Sequence, residues 1–259
     1  GIVASPSIIA TPHRQRFMRL LRKKKGTEGI KPFSPLPRRI LHWRRDAGVV
    51  GYDLIPSVPF FRMNPVDRFL SGLIPRLPAE DAPQWAHVQG ASAEDLQRLR
   101  VQWPQVPDSL VELLSRVDGT HYREYPGGKV CVLMLGSDVE DGGYPYYLRS
   151  VAQIFEDQQQ WDDSIRSIYE EWLDDEPEIL GKGIDGDLPM SRRLCFSHCM
   201  NNGGTSMLYL DFDPAPGGTV GQVVRYLHDP DSYAVIAPSF DAYLQQLIDG
   251  DYAFIDQDE

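Results

Sequence analysis

The C-terminal part of this chain alternates short apolar runs with turn residues, and this pattern constrains the fold more than any other feature. The runs are five to seven residues long, the usual length of strands, and lie at 207–212, 221–227 and 233–237. Pro214 and Gly218 bound the turn between the first two runs. Ser239 then predicts the cap of a helix whose inner face carries Phe240, Tyr243, Leu244 and Leu247. Antiparallel hairpins followed by a packed helix are therefore expected.

Upstream of these runs, capping signals predict two helices. Ser92 and Asp95 have the spacing of a capping box, so a helix is expected to begin there. Pro107 is expected to open a second helix, because proline fits the first turn of a helix. Gly119 follows Asp118 and is expected to end that helix.

The middle of the chain mixes both kinds of pattern. Residues 130–135 form a continuous apolar run that predicts a buried strand, and residues 194–196 predict a short one. Residues 148–175 predict one long helical stretch with Trp172 on its apolar side. Helices first, then hairpins, then a helix predict an α+β fold.

Charge is distributed unevenly along the chain. Residues 1–50 hold 12 Lys or Arg and 2 Asp or Glu, a net charge of +10, whereas the other 209 residues hold 14 and 35, a net charge of −21. A body this acidic repels phosphates, which excludes nucleic acid as its partner. Its expected partners are basic: a cationic protein, or its own N-terminal segment.

Composition predicts three regions: a basic N-terminal segment (1–30), a proline-rich arm packed on the body (31–90) and the main domain (91–259). Nine prolines lie between residues 32 and 83, and proline interrupts long helices and central strands. Within the arm, Asn64, Pro65 and Gly72 predict a short capped helix over residues 64–72.

Residues 14–25 place Phe17, Leu20 and Leu21 at helical spacing among seven cations. A basic amphipathic helix of this kind could make weak contact with an anionic membrane or a nucleic acid. We favour the alternative, a helix that is solvated or docked on the acidic body.

Several protein classes are excluded. No apolar run approaches the roughly 20 residues that a membrane-spanning helix needs. The three cysteines (Cys131, Cys195 and Cys199) do not suit a disulfide scaffold, and their sparse, odd number is typical of a reducing compartment, so a cytoplasmic location is expected. No glycine-rich loop has the spacing that cradles a nucleotide, and we predict no cofactor.

Groups that could carry chemistry are few. Cys195, His198 and Cys199 are metal-ligand types, but zinc usually takes four ligands in two spaced pairs and this is a single local cluster. We therefore expect structural cysteines and no metal. The aspartate pairs at 185/187, 211/213 and 229/231 adjoin Gly or Pro, where aspartate is an ordinary turn former. An enzyme using these pairs, His198 or His228 is kept as an alternative, although we predict no catalytic residue.

A more specific signal lies at residues 208–229 (LYLDFDPAPGGTVGQVVRYLHD) and 233–244 (YAVIAPSFDAYL). These segments resemble the SMI1/KNR4 family, also called the SUKH superfamily, in which an acidic-Pro turn leads to Gly-Gln-Val, then His-Asp, then a Ser-Phe-x-x-Tyr-Leu helix. Residues 99–103 and 107–119 resemble the opening helices of that family more loosely. The resemblance covers residues 92–247.

The resemblance implies a compact α+β domain, in which a central, mostly antiparallel mixed sheet is flanked by helices. It also implies no catalytic residues and a protein-binding role. Many bacterial members look like immunity proteins that neutralise a toxin, and fungal members look like interaction hubs. The matched residues are interpreted as fold determinants: Pro107, Gly119, Asp211, Gly221, Gln222, His228, Ser239, Phe240 and Tyr243.

We therefore expect a non-enzymatic immunity protein that occludes the active surface of a basic toxin or effector domain. The alternative is an accessory subunit of a larger assembly, anchored through its basic N-terminal arm. Acidic and aromatic side chains are the expected partner contacts: Asp138, Glu140, Asp141, Tyr146, Tyr147, Asp162, Asp163, Asp185 and Asp187.

Overall fold

The computed structural model describes residues 64–160, 162–201, 204–228 and 230–255, which all belong to one unit spanning Val58–Glu259. The predictions for the basic segment (1–30), for the amphipathic helix at 14–25 and for the first part of the proline-rich arm lie outside the described residues. Those for the second part of the arm and for the main domain can be compared with the structure.

Eight α-helices lie in the described residues. They are α1 (Pro65–Leu73), α2 (Ala82–Trp85), α3 (Ala93–Gln102), α4 (Asp108–Arg116), α5 (Val151–Gln160), α6 (Ile165–Tyr169), α7 (Trp172–Asp175) and α8 (Phe240–Asp249). Three predicted caps are confirmed, since the side chains of Asn64, Ser92 and Ser239 accept hydrogen bonds from the first backbone amides of α1, α3 and α8. Within the described ranges, no helix is long and apolar enough to cross a membrane.

The predicted single helix over residues 148–175 is wrong. Three short helices, α5, α6 and α7, take its place. Ser164 caps α6 by accepting a hydrogen bond from the Ser167 amide. The helix ends at Tyr169, because Glu170 has a positive φ of 49°. The apolar residues have helical spacing, but local capping divides the segment into separate helices.

Strands form a hairpin and a larger sheet. The strands are β1 (Arg123–Tyr125), β2 (Gly128–Val130), β3 (Leu135–Gly136), β4 (Pro145–Leu148), β5 (Leu194–Asn201), β6 (Gly204–Asp211), β7 (Gln222–Leu227) and β8 (Ser232–Ala237). Strands β3 to β8 make a six-stranded sheet in sequential order, and every neighbouring pair is antiparallel. The predicted α+β fold with an antiparallel sheet and flanking helices is confirmed.

The prediction of one continuous strand over residues 130–135 is also wrong. Val130 ends the hairpin and Leu135 begins the six-stranded sheet. Between them, the Val132 amide donates to the Thr120 carbonyl and the Met134 amide to the Tyr146 carbonyl. The chain thus passes from one sheet to the other while Val132 and Met134 stay buried. The apolar run therefore reflects burial of this segment, and only part of it is strand.

Both faces of the central sheet are covered. Along β6, Leu208 and Leu210 join a core built with the helices, whereas Met207 and Tyr209 join a second core under residues 162–190. This alternation follows from the two-residue period of a strand. A strand buried on both faces reads as a continuous apolar run, as β6 does.

Helix α1 belongs to the first of these cores. Val66, Phe69, Leu70 and Leu73 are buried in it, beside side chains from α4 and α8. The Tyr252 hydroxyl donates to the carbonyl of Phe69 at 2.9 Å. Residues that precede position 91 therefore supply part of the same core as residues 93–247.

Two glycines of the family motif provide a matched test of backbone constraint. Gly119 has φ +87° and Gly221 has φ +82°, a region that other residues occupy at a cost of about 1–2 kcal/mol. A β-carbon on Gly119 would lie 2.5 Å from the Ser150 amide nitrogen, whereas one on Gly221 would have no heavy atom within 4 Å. We expect Gly221→Ala to lower the free energy of unfolding by about 1 kcal/mol and Gly119→Ala by about 1–3 kcal/mol more. Urea unfolding of both variants checks this, and equal losses would contradict it.

Candidate partner-binding surfaces

The predicted carboxylates fall into two groups. Asp138, Glu140 and Asp141 are exposed in the turn that precedes β4. Asp162, Asp163, Asp185 and Asp187 lie within residues 162–190, which we call the acidic segment. Asp138 bonds to Arg225 on β7. The two neighbours of Arg225 on that strand, Val224 and Tyr226, pack in the second core, so Arg225 and Asp138 lie on the other face of the sheet. The two groups of carboxylates therefore belong to opposite faces.

Tyr146 is fully buried, so its prediction as a surface contact is wrong. Tyr146 and Tyr147 are consecutive residues of β4, and consecutive side chains on a strand point to opposite faces. Burial raises the pKa of the Tyr146 hydroxyl, with Ser137 and Arg225 among its neighbours. Tyr147 is half-buried and stacks on the His121 ring, with 5.0 Å between the ring centroids.

A cavity of about 190 Å³ lies between the turn at residues 137–142 and the C-terminal part of α8. We call it the acidic cleft. Its lining includes Asp138 and Asp141 from the turn, and Gln246 and Gly250 from the end of α8 and just beyond it. The apolar part of its lining, which we call its floor, is formed by Ile236, Tyr243, Leu247 and Phe254.

The carboxylates of the acidic cleft differ in their pairing. Arg225 donates from Nε and Nη2 to the two oxygens of Asp138, at 2.5 and 3.1 Å. Among the described residues, Glu140 and Asp141 have no ion-pair or hydrogen-bond partner for their side chains. The charge of Asp141, which lines the cleft, and that of Glu140, which precedes it in the sequence, are thus left uncompensated by the described side chains.

The backbone around the acidic cleft is unusual. Glu140, Asp141, Asp251 and Tyr252 all have φ between 52° and 58°. In the described part of the chain only two other non-glycine residues, Tyr122 and Glu170, have positive φ. Such conformations cost free energy and concentrate at functional sites, so this cleft is a candidate on conformational grounds as well as by charge.

The acidic segment is the second candidate surface. It contains ten Asp or Glu against two cations, Arg166 and Lys182. Arg166 donates to Asp187 at 2.8 Å, and the Arg166 amide bonds to Gly186, which holds the first helix of the segment against its last loop. An antiparallel bridge between Ser164 and Pro189 closes the same contact. The fold thereby brings Asp162 and Asp163 near Asp185 and Asp187.

Trp172 is 42% exposed, so its prediction as a core residue is wrong. Helix α7 has a single turn, and Leu173 is the side chain that it buries. Ile168 on α6 is 36% exposed. Large apolar side chains among carboxylates suit a protein interface, where aromatic anchors contribute much of the binding energy.

Sequence reasoning missed a buried polar cluster. Arg149 donates to both oxygens of Asp157, at 2.8 and 2.7 Å, and its third nitrogen lies 2.7 Å from His121 Nδ1. His198 Nε2 lies 3.2 Å from Asp157 Oδ2. These four residues are far apart along the chain, so no local spacing in the sequence links them.

The same cluster raises the question of a metal. Ligand atoms of Asp157, Cys195 and His198 lie within 4.8 Å of one another, and all three residues are buried. However, both Asp157 oxygens already bond to Arg149, so a bound cation would sit against a guanidinium group. Burial also raises the pKa of the Cys195 thiol, which opposes the thiolate that a metal requires. We interpret the cluster as a structural ion-pair network.

The two histidines of this network make stability depend on pH. Burial, Arg149 and His198 lower the pKa of His121 from 6.5 to about 4, and burial also lowers the pKa of His198. Below the unfolded value of 6.5 the unfolded chain binds protons that the folded chain excludes, so stability is lost as the pH falls from 6.5 towards 4. We expect urea midpoints to drop across this window, and to drop less in His121→Asn. An identical pH profile for that variant would contradict the assignment.

Several residues of the family motif lie in a second buried network. Asp211 and Arg193 are fully buried, with 3.5 Å between Arg193 Nε and Asp211 Oδ1. Gln222 donates to Asp211 at 3.1 Å and to the Gly183 carbonyl at 2.8 Å. These bonds tie the last loop of the acidic segment to strands β6 and β7.

The other motif residues are placed at element ends or in the core. Pro107 occupies the cap position of α4, and Ser239 caps α8. Phe240 and Tyr243 are buried, and the Tyr243 hydroxyl donates to Gly136 at 2.6 Å. His228 Nδ1 lies 3.3 Å from Asp231. Of these motif residues, Tyr243 is the one that lines the acidic cleft.

Comparison with known protein families agrees with this arrangement. The SMI1 / KNR4 family (SUKH-1) matches residues 90–246, more than half of the chain. This chain belongs to the SMI1/KNR4 family. The match spans α3 to the larger part of α8, and therefore includes the whole six-stranded sheet and the acidic segment. SMI1/KNR4 (SUKH) proteins are immunity-protein-like and generally non-catalytic. No curated protein matches the sequence significantly.

Proposed function

We propose that this protein is an immunity protein, which binds a cognate protein toxin or effector domain and neutralises it by covering its active surface. Membership of the SMI1/KNR4 family is the observation that carries the proposal. A cytoplasmic location belongs to the same proposal, because the three cysteines are sparse and odd in number.

Charge supports a basic partner. The chain beyond residue 50 has a net charge of −21, and the acidic segment alone holds ten carboxylates and two cations. Toxins that act on phosphates need cationic sites, so an acidic protein would be attracted to them before contact. Electrostatic steering of this kind raises the association rate and weakens as salt is added.

The chemistry of the buried groups supports a binding role over catalysis. Burial raises the pKa of Cys195, which makes a poor nucleophile. His121 Nδ1 faces the Arg149 guanidinium, and His198 is buried against Asp157, so neither ring is placed to exchange protons with a substrate.

The proposal is tested by finding the partner and measuring neutralisation. The full chain is used to capture proteins from its source cells, and a captured basic protein is then expressed in a sensitive host with and without the chain. We expect growth arrest by the captured protein alone, rescue by co-expression, and a 1:1 complex of the purified proteins. The association rate should fall steeply as the salt concentration rises.

Two outcomes would count against it. Failure of the chain to rescue growth despite tight binding would contradict neutralisation, and capture of a multi-subunit complex would favour the accessory-subunit alternative. An association rate that is indifferent to salt would remove the charge argument while leaving the family argument in place.

A further inference from the structure

We propose that the acidic cleft is the binding site for a single lysine or arginine side chain presented by the protein partner. The inference rests on the proposed function, since it names the chemistry of the group that the partner inserts. It arises from the shape and the charge of the cleft, and neither the family match nor the acidic segment enters into it.

The floor of the cleft suits the aliphatic part of such a side chain. Ile236, Tyr243, Leu247 and Phe254 supply apolar atoms to the lining of this cavity of about 190 Å³. Lysine and arginine carry three or four methylene groups that gain free energy from contact with an apolar surface while the charged end stays polar. A wholly polar ligand would leave this floor unused.

The rim suits the charged end. Asp141 lines the cleft and Glu140 precedes it, and neither carboxylate has a partner among the described side chains. The nearby cations of the chain are already engaged, Arg225 by Asp138 and Arg76 by Asp251. The cleft therefore offers negative charge that the described part of the chain does not neutralise.

Helix α8 adds to this preference. It runs for ten residues and ends at Asp249 beside the cleft, where Gln246, Leu247 and Gly250 form the wall. The C-terminal end of a helix carries a partial negative charge that favours cations, yet the last turn of α8 has an aspartate and no basic residue. A cation supplied by the partner would compensate both the partial negative charge of the helix end and the charge of this aspartate.

The direct test uses small probes and needs no toxin. The isotopically labelled full chain is titrated with acetyl-Gly-Arg-Gly-amide, and separately with the same peptide carrying citrulline, which keeps the shape of arginine and removes its charge. We expect saturable shifts of the Gly142, Gly250 and Ala253 amides with the arginine peptide. The citrulline peptide should bind at least about tenfold more weakly, as for loss of a charged hydrogen bond.

Asp141→Asn is the informative variant, because asparagine has the same shape and tolerates a positive φ. It should weaken the arginine peptide about tenfold, whereas Glu94→Gln, an exposed change on α3, should leave the affinity unaltered. Equal binding of the two peptides, or an unchanged affinity of Asp141→Asn, would overturn the proposal.

A different occupant would also show itself. If the arginine peptide binds only after the cations of residues 14–25 are replaced, the chain's own N-terminal segment fills the cleft and the partner is not its ligand. Neutralisation separates this inference from the proposed function. If the wild type rescues growth and Asp141→Asn rescues it equally well, the inference alone is wrong. If the wild type does not rescue growth, the proposed function is wrong.

Discussion

Replacing Arg193 by methionine is expected to lower the free energy of unfolding by about 3–5 kcal/mol, because it leaves a buried charge without its counterion. Arg193 and Asp211 are both fully buried, and the guanidinium also donates to the Asp185 carbonyl at 2.7 Å. Without it, the Asp211 carboxylate keeps, among the described residues, the hydrogen bonds from Gln222 and the Asp213 amide. Chemical denaturation of the variant measures the loss, which is a large part of the roughly 5–15 kcal/mol typical of a domain.

The neighbouring residue supplies a matched control. Arg192 donates to Asp213 at 2.8 Å, but these side chains are 62% and 43% exposed. A surface ion pair contributes about 0–1 kcal/mol, so Arg192→Met should be nearly silent. If the two variants lose similar amounts of unfolding free energy, burial of the Arg193 charge is unimportant. Arg193 would then contribute through its hydrophobic stem or its loop contacts.

Phe69→Ala is expected to destabilise the protein by about 3–5 kcal/mol, the usual loss for a buried aromatic side chain. Phe69 is fully buried and packs against Tyr252, with 5.8 Å between the ring centroids. The residue lies more than 20 positions before the region that matches the family, which starts at residue 90. A large effect would place α1 inside the cooperative folding unit.

Ser71→Ala is the control for Phe69→Ala, because Ser71 is exposed on the same helix. Its effect should stay within about 0.5 kcal/mol. If Phe69→Ala unfolds at the same urea concentration as the wild type, α1 docks without stabilising the domain. A variant that lacks residues 1–90 would in that case fold normally, whereas a large effect of Phe69→Ala predicts that it would not.

The amino-acid sequence by itself determined the elements whose signals are local. Asn64, Ser92 and Ser239 cap helices because a capping side chain bonds to amides two or three residues away. The strands β6, β7 and β8 follow their apolar runs because turn residues separate them. These signals, with the family resemblance, were enough for the fold class.

Tertiary structure alone decided which of these residues meet. Asp138 pairs with Arg225, 87 positions away, and Arg149 joins His121 to Asp157, so no spacing in the sequence could reveal either contact. The same holds for the acidic cleft, whose two walls come from distant segments.

Burial of individual aromatic residues was likewise decided by the fold. Tyr146 is buried and Tyr147 half-buried because a strand presents consecutive side chains to opposite faces, and a shift of one residue would exchange them. Trp172 is exposed because its helix is a single turn that buries only Leu173. Composition predicts that such residues seek a core, but which of them reach it depends on register and on helix ends, and both are set by contacts across the whole domain.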